Sequence, residues 1–240
     1  MDSYGKVNRY FDLISIGISA IITKIISDSL TQLKIQQVII LCIIFITIYL
    51  LNEFFTGIFK KFFSSFTLLR KYTLGDEFVE GMWVEFLTEN NKLESVGITL
   101  IKPEKEGYGL RLSGENYQYN VNNSNHELSL RYRFYSKDGL TKIKFPILEF
   151  AYVNSLCVPI NGKNLIEGVG KLTFSSIQGT PSRYHASFNI AEDARIVGTV
   201  GLESWKIQDG NDLKQIKDDS KNTVKILIKY IAQREKEKTT

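Results

Sequence analysis

The sequence predicts two parts: an N-terminal pair of membrane-spanning helices, and an all-β domain closed by a C-terminal helix. The β domain reads as an antiparallel meander barrel of about eight strands. Three observations carry this. Residues 38–51, VIILCIIFITIYLL, hold no charge, Gly or Pro. From residue 74 the hydrophobic period changes from helical spacing to alternation. From residue 211 helical spacing returns.

The apolar run is 14 residues long, short of the roughly 20 that cross a hydrocarbon core. Gln36 and Gln37 on one side, and Asn52, Glu53, Phe54 and Phe55 on the other, extend it to interfacial depth. Ile and Leu cover every face and leave no polar side for water. A buried core helix is the competing reading. A second apolar segment occupies residues 13–30, interrupted by Lys24 and ending near Asp28. As a signal peptide it has only Lys6 and Arg9 for a basic start, Asp12 at the head of the apolar part, and no small-x-small site before a polar stretch. A hairpin fits better, with helices over about residues 13–30 and 35–55 and a turn at 31–34. Lys6 and Arg9 precede it, Lys60, Lys61, Arg70 and Lys71 follow it, and the turn holds only Lys34. Positive residues stay cytoplasmic, so both termini and the β domain are expected on that side.

Asp12, Ser15, Ser19, Thr23 and Ser27 fall on one face of the first helix. Ser15, Ser19, Thr23 and Ser27 form a small-xxx-small stripe that lets helix backbones approach. It serves either packing against the second helix or assembly of neighbouring hairpins in the bilayer. Residues 54–72, FFTGIFKKFFSSFTLLRKY, place Phe55, Phe59, Phe62 and Phe66 at helical spacing among Lys60, Lys61 and Ser64. That suits an interfacial helix or the end of the second span. The expected organisation is a hairpin at 1–59, a basic juxtamembrane segment at 60–73, the barrel at 74–210, and a C-terminal helix with a charged tail at 211–240.

Strand candidates lie at 78–87, 96–101, 107–112, 126–135, 147–153, 165–175, 183–190 and 196–206, with Gly, Asn, Asp and Pro between them. In 126–135, Leu128, Leu130, Tyr132 and Phe134 take one face, and Ser129, Arg131, Arg133 and Tyr135 the other. A closed barrel removes exposed edges; a two-sheet sandwich is the alternative. In the tail, Leu213, Ile216, Val224, Leu227 and Ile231 lie close to one stripe, as in a helix that covers the barrel or meets a partner.

The net charge of +4 is too weak to argue for DNA or RNA. Cys42 and Cys157 give no disulfide framework, and His126 and His185 give no metal cluster. There is no P-loop, GxSxG or HExxH, and Glu80, Glu85 and Glu149 form no pairing that sequence establishes. No catalytic residue, metal or cofactor is expected, and an enzyme is not. A binding barrel is, because about eight strands enclose room for one small ligand. Trp83, Tyr108, Tyr132, Tyr152 and Tyr184 are the candidates to stack on it, and Arg111, Arg131, Arg133 and Lys171 the candidates to grip phosphate. Most strand aromatics are core residues and most strand arginines are solvated. If the apolar face of 126–135 points inward, Arg131 and Arg133 lie outside and Tyr132 is the better candidate.

Gly81-Met82-Trp83 is similar to the GxW of lipocalin-like barrels. Leu148-Glu149-Phe150-Ala151-Tyr152 and Tyr184-His185-Ala186-Ser187-Phe188-Asn189 are similar to their inner strands. In segment order the whole chain resembles the CD-NTase-associated protein 15 family, CBASS antiphage effectors with two transmembrane helices and a β-strand-rich domain. The resemblance implies an inner-membrane protein whose partner nucleotidyltransferase makes a cyclic dinucleotide after phage infection. The barrel would bind that messenger, the protein would form a homo-oligomer, and the hairpins would disrupt the lipid bilayer and kill the cell. Two bases and two phosphates match a mixed aromatic and Arg lining. The competing expectations are a tethered barrel that binds a protein, and one that binds an apolar ligand.

Overall fold

The computed structural model describes residues 3–31, 37–89, 92–104, 109–122, 125–160, 162–177, 180–190, 201–218 and 220–239. They fall into two units, a helical one up to Gly75 and a barrel with its C-terminal helices from Asp76.

In the helical unit, α1 (Ser3–Thr31), α2 (Gln37–Ser65) and α3 (Thr67–Leu74) follow one another. Arg9–Ser29 and Cys42–Phe63 are long and apolar enough to cross a membrane. The small-residue stripe faces the α1–α2 contact: Ser15 and Ser19 are fully buried and Thr23 nearly so, while Ser27 is half-buried. Ser15 donates to the Phe11 carbonyl at 2.8 Å and Thr23 to that of Ser19 at 2.7 Å, the i−4 bonds by which hydroxyls satisfy themselves in a helix. Phe11 stacks on Phe59 at 5.6 Å and meets Phe63 edge-on at 5.4 Å, joining the start of α1 to the end of α2. The 54–72 segment is divided. Phe55, Phe59 and Phe62 belong to α2, which breaks at Phe66 before α3. The buried Arg70 guanidinium donates to the Phe63 carbonyl at 2.7 Å and to Thr67 Oγ1 at 3.2 Å. It thereby serves one of the carbonyls that the last turn of α2 leaves open.

The barrel comprises β1 (Gly81–Glu89), β2 (Lys92–Pro103), β3 (Leu110–Asn122), β4 (Asn125–Lys144), β5 (Ile147–Ile160), β6 (Lys163–Ile177), β7 (Thr180–Ile190) and β8 (Gly201–Lys206). Each strand pairs antiparallel with the next, and β8 returns to β1 to close the ring. The third strand runs well beyond the predicted 107–112, because its inward positions Asn116 and Gln118 are polar and blur the hydrophobic alternation.

The predicted common face of β4 is split. Asn116 pairs with Tyr132, but the next residue, Tyr117, pairs with Leu130, leaving Arg131 as the extra residue of a bulge. One extra residue reverses the facing of everything beyond it. Leu128 and Leu130 therefore point outward, and Tyr132 and Phe134 inward. Inward glycines make room for rings: a Cβ on Gly170 would stand 2.5 Å from the Phe150 ring.

The tail forms α4 (Gly210–Asp218) and α5 (Ser220–Thr239). Ile226, Leu227, Tyr230 and Ile231 pack on the outward side chains of β1, β2, β3 and β8, among them Val84, Phe86, Val96 and Trp205. Leu213, Ile216 and Val224 extend the contact, so the predicted stripe is the covering face. The helix is clamped by Arg234, which donates to Glu203 at 3.1 Å and lies 5.2 Å from the Phe86 ring centre. Burial opposes ionisation of Glu203, but Trp205, Arg234 and Arg183 outweigh it and hold the carboxyl below its ordinary range.

Candidate functional site

Covering one wall from outside leaves β1 buried on both faces, and its odd-numbered residues line the interior. At the end where β1 begins, the interior is a solid apolar plug. Trp83 has no exposed surface, donates to the Val79 carbonyl at 3.1 Å, and packs on Tyr184 and Phe174 at 5.0 and 5.5 Å. Lys206 lies over the Trp83 ring at 5.3 Å and donates to the Phe78 carbonyl at 3.3 Å. Its strand register, opposite Trp83, faces inward.

Above the plug, strand pairing aligns one inward row. Tyr184 pairs with Ser204, Ser204 with Glu85, Glu85 with Gly97, Gly97 with Asn116, and Asn116 with Tyr132. The row crosses six strands, and cross-strand neighbours of this kind are the residues that meet. Thr99 and Tyr184 both donate to Glu85 Oε1. Glu85 Oε2 is turned toward Gly97, where an added Cβ would stand 3.3 Å from it and 3.4 Å from Asn116 Nδ2. Asn116 Nδ2 donates to Ser95 Oγ at 3.2 Å, and its buried Oδ1 has no partner.

Among the described residues, the groups that favour the charged form of Glu85 are two hydroxyls, those of Thr99 and Tyr184. Burial raises the Glu85 pKa above the ordinary carboxyl value, and these two bonds only partly offset this. Tyr184 is raised well above an ordinary phenol by burial and by Glu85. Tyr132 is raised by burial and then by Glu85, with Tyr152 of β5 a smaller contributor, so five strands bring hydroxyl and carboxyl groups into one field. Such an interior offers hydrogen-bond donors and acceptors between aromatic rings.

The candidates from sequence divide by face. Trp83, Tyr132, Tyr152 and Tyr184 point inward. Arg111, Arg131, Arg133 and Lys171 stand on the outer wall: Arg111 lies 3.8 Å from Asp138, Arg131 3.2 Å from Glu94, and Arg133 2.8 Å from Glu115. Lys171 is exposed opposite Ser187. Tyr108 lies outside the described residues. Sequence reasoning passed over Glu85 as a binding residue, although it stands two positions after Trp83 and so shares its face. Asn116 was passed over because the strand that carries it was ended too early. Arg133 and Glu115 also border an outer groove of 460 Å³ between Ile98, Leu100 and Tyr135 of the wall and Ile216 and Thr223 of the tail. No family model, curated protein or solved structure matches the chain.

Proposed function

We propose that this protein is a membrane-anchored receptor and effector of an antiphage CBASS system. Its cytoplasmic barrel binds a cyclic dinucleotide made by a partner nucleotidyltransferase. Binding drives oligomerisation, and the clustered hairpins disrupt the inner membrane and kill the cell. The observation that carries the reading is the inward row of Tyr184, Glu85, Asn116 and Tyr132 in a closed barrel, on a chain that also bears two helices fit to span a bilayer. Aromatic rings stack on bases, and the hydroxyl, amide and carboxyl groups meet base edges. With the arginines on the outer wall, the phosphates stay toward solvent. Lys6 and Arg9 at the start of the first span, and Lys60, Lys61 and Lys71 at or beyond the end of the second, support an orientation with both termini in the cytoplasm.

Within one chain the stripe of Ser15, Ser19 and Thr23 is covered by α2, so its use in assembly requires α1 and α2 to separate. The exposed faces, with Ile14, Ile21, Ile25, Phe45 and Ile46, are free to meet lipid or a neighbouring hairpin.

The test is a titration of the full-length protein in nanodiscs and in dye-loaded vesicles with cyclic di-AMP, cyclic di-GMP and cyclic UMP-AMP. Saturable binding of at least one, with larger assemblies and dye release, is expected. Absence of binding by all three excludes these messengers. A second reading, a tethered barrel that holds a protein segment, draws on the outer groove. It predicts a partner whose capture is lost when Tyr135 and Ile216 are both replaced by Asp and is indifferent to cyclic dinucleotides.

A further inference from the structure

A buried polar group without a partner costs stability, so a row that keeps one is unusual unless something else completes it. Two groups in the inward row stand open. Asn116 is only 4% exposed, yet its Oδ1 accepts no hydrogen bond. Glu85 is 7% exposed, and both hydroxyls that reach it bond to Oε1, leaving Oε2 directed at Gly97. A Cβ on Gly97 would stand 3.3 Å from Glu85 Oε2 and 3.4 Å from Asn116 Nδ2, so the glycine lets the two side chains converge. Tyr132, the cross-strand neighbour of Asn116, supplies a ring at the same level.

We propose that Glu85 and Asn116 form a reading pair for the edge of a planar heteroaromatic ring, the carboxylic acid donating from Oε2 and the amide accepting at Oδ1. Gly97 lets the two side chains converge, and the Tyr132 ring flanks the ligand. A ring with an acceptor and an N–H donor on one edge is the complement, which is the chemistry of a nucleobase. This rests on the nucleotide-binding reading above and names how the base is recognised. It requires Glu85 to act as a neutral donor. The groups that face it are consistent with that: Thr99 from β2, Tyr132 from β4, Tyr152 from β5, Tyr184 from β7 and Ser204 from β8 are uncharged, and the inward cation, Lys206, is engaged with the Phe78 carbonyl and the Trp83 ring. A pair that matches a ligand donor and acceptor rejects ligands lacking them, because its own buried groups are then stranded.

Glu85→Gln retains a neutral donor, whereas Glu85→Leu removes it. Asn116→Ala and Asn116→Ser both remove the acceptor, the second keeping a polar side chain in the interior. Full-length variants in nanodiscs, checked for folding by near-ultraviolet circular dichroism, are titrated with the same three cyclic dinucleotides and with adenosine, guanosine and uridine. The expected result is that Glu85→Gln binds within about threefold of the wild type, while Glu85→Leu and the folded Asn116 variants lose about tenfold or more. If a cyclic dinucleotide binds and all four variants bind it equally well, the reading pair is overturned and the receptor proposal stands. If no cyclic dinucleotide binds but a nucleoside does, with loss in the Asn116 variants, the pair stands and the messenger does not. Loss in Glu85→Gln equal to that in Glu85→Leu shows that the charge was needed and overturns the neutral donor. No binding of any of the six compounds overturns both proposals.

Discussion

Glu85 and Glu203 stand side by side on paired strands and on opposite faces of one wall: Glu203 pairs with Phe86, the residue after Glu85. Their surroundings push them in opposite directions. Burial raises Glu85, whose partners are the hydroxyls of Thr99 and Tyr184. Glu203 is lowered despite burial, because Trp205 and the guanidinium groups of Arg234 and Arg183 surround it. The difference lies in where the cations are. The outer face uses charge to hold a helix in place, whereas on the inner face hydroxyl groups meet the carboxyl of Glu85. An interior of the second kind suits a ligand recognised by shape and edge pattern.

The largest expected effects separate the two faces by packing. Trp83→Ala empties the inner plug and should cost about 3–5 kcal/mol, and Leu227→Ala, under the outer helix, about 2–4 kcal/mol. Urea unfolding of both variants measures this. A Leu227→Ala loss larger than that of Trp83→Ala would mean that the tail, and not the interior, is the mainstay of the domain.

Next comes the outer clamp. Arg234→Ala leaves Glu203 with Arg183 and Trp205 and should cost about 1–3 kcal/mol, with faster hydrogen exchange in α5 than in the strands. Unchanged protection in α5 would show that apolar packing alone holds it.

The pH dependence pits the two carboxyls against each other. The folded carboxyl of Glu85 titrates above its ordinary 4.5, so its contribution is complete below that value and is lost as pH rises through the folded value. Glu203 titrates below 4.5 when folded, so its contribution is present above that value and is lost as pH falls through the folded one. Glu85→Gln should flatten the loss on the alkaline side only, and Glu203→Gln the loss on the acid side only, as read from urea midpoints across pH. Identical profiles for the two variants would remove the contrast between the faces.

The smallest effect is expected at Arg133, whose side chain is 62% exposed beside Glu115. Arg133→Ala should change stability by less than about 1 kcal/mol. A larger loss would mean that the outer groove it borders is a structural element of the wall.

Much of the fold was legible in the sequence, because its signals are periodic. The apolar run at 38–51, the alternation of the strands and the stripe of Leu213, Ile216, Val224, Leu227 and Ile231 each report one face of one element. The bulge at Arg131 was not legible. An extra residue leaves the spacing of Leu128, Leu130, Tyr132 and Phe134 unchanged and shows itself only in the partner strand. Sequence could name Tyr132, Tyr152 and Tyr184 by residue type, but the row that joins Glu85 to Asn116 is a matter of register between strands. Inward polar residues look the same in sequence as outward ones, which is why Asn116 was missed.

The protonation of Glu85 inside the folded barrel decides between a neutral donor and a charged acceptor at the inward row. Infrared difference spectroscopy of the full-length protein, with Glu85→Gln and Glu203→Gln as references, assigns each carboxyl band and follows it through a pH titration. The expected result is that Glu85 keeps its proton to a higher pH than Glu203, as a carboxylic acid band that is absent from Glu85→Gln. Loss of the Glu85 proton together with, or before, that of Glu203 would contradict a neutral reading pair inside the barrel.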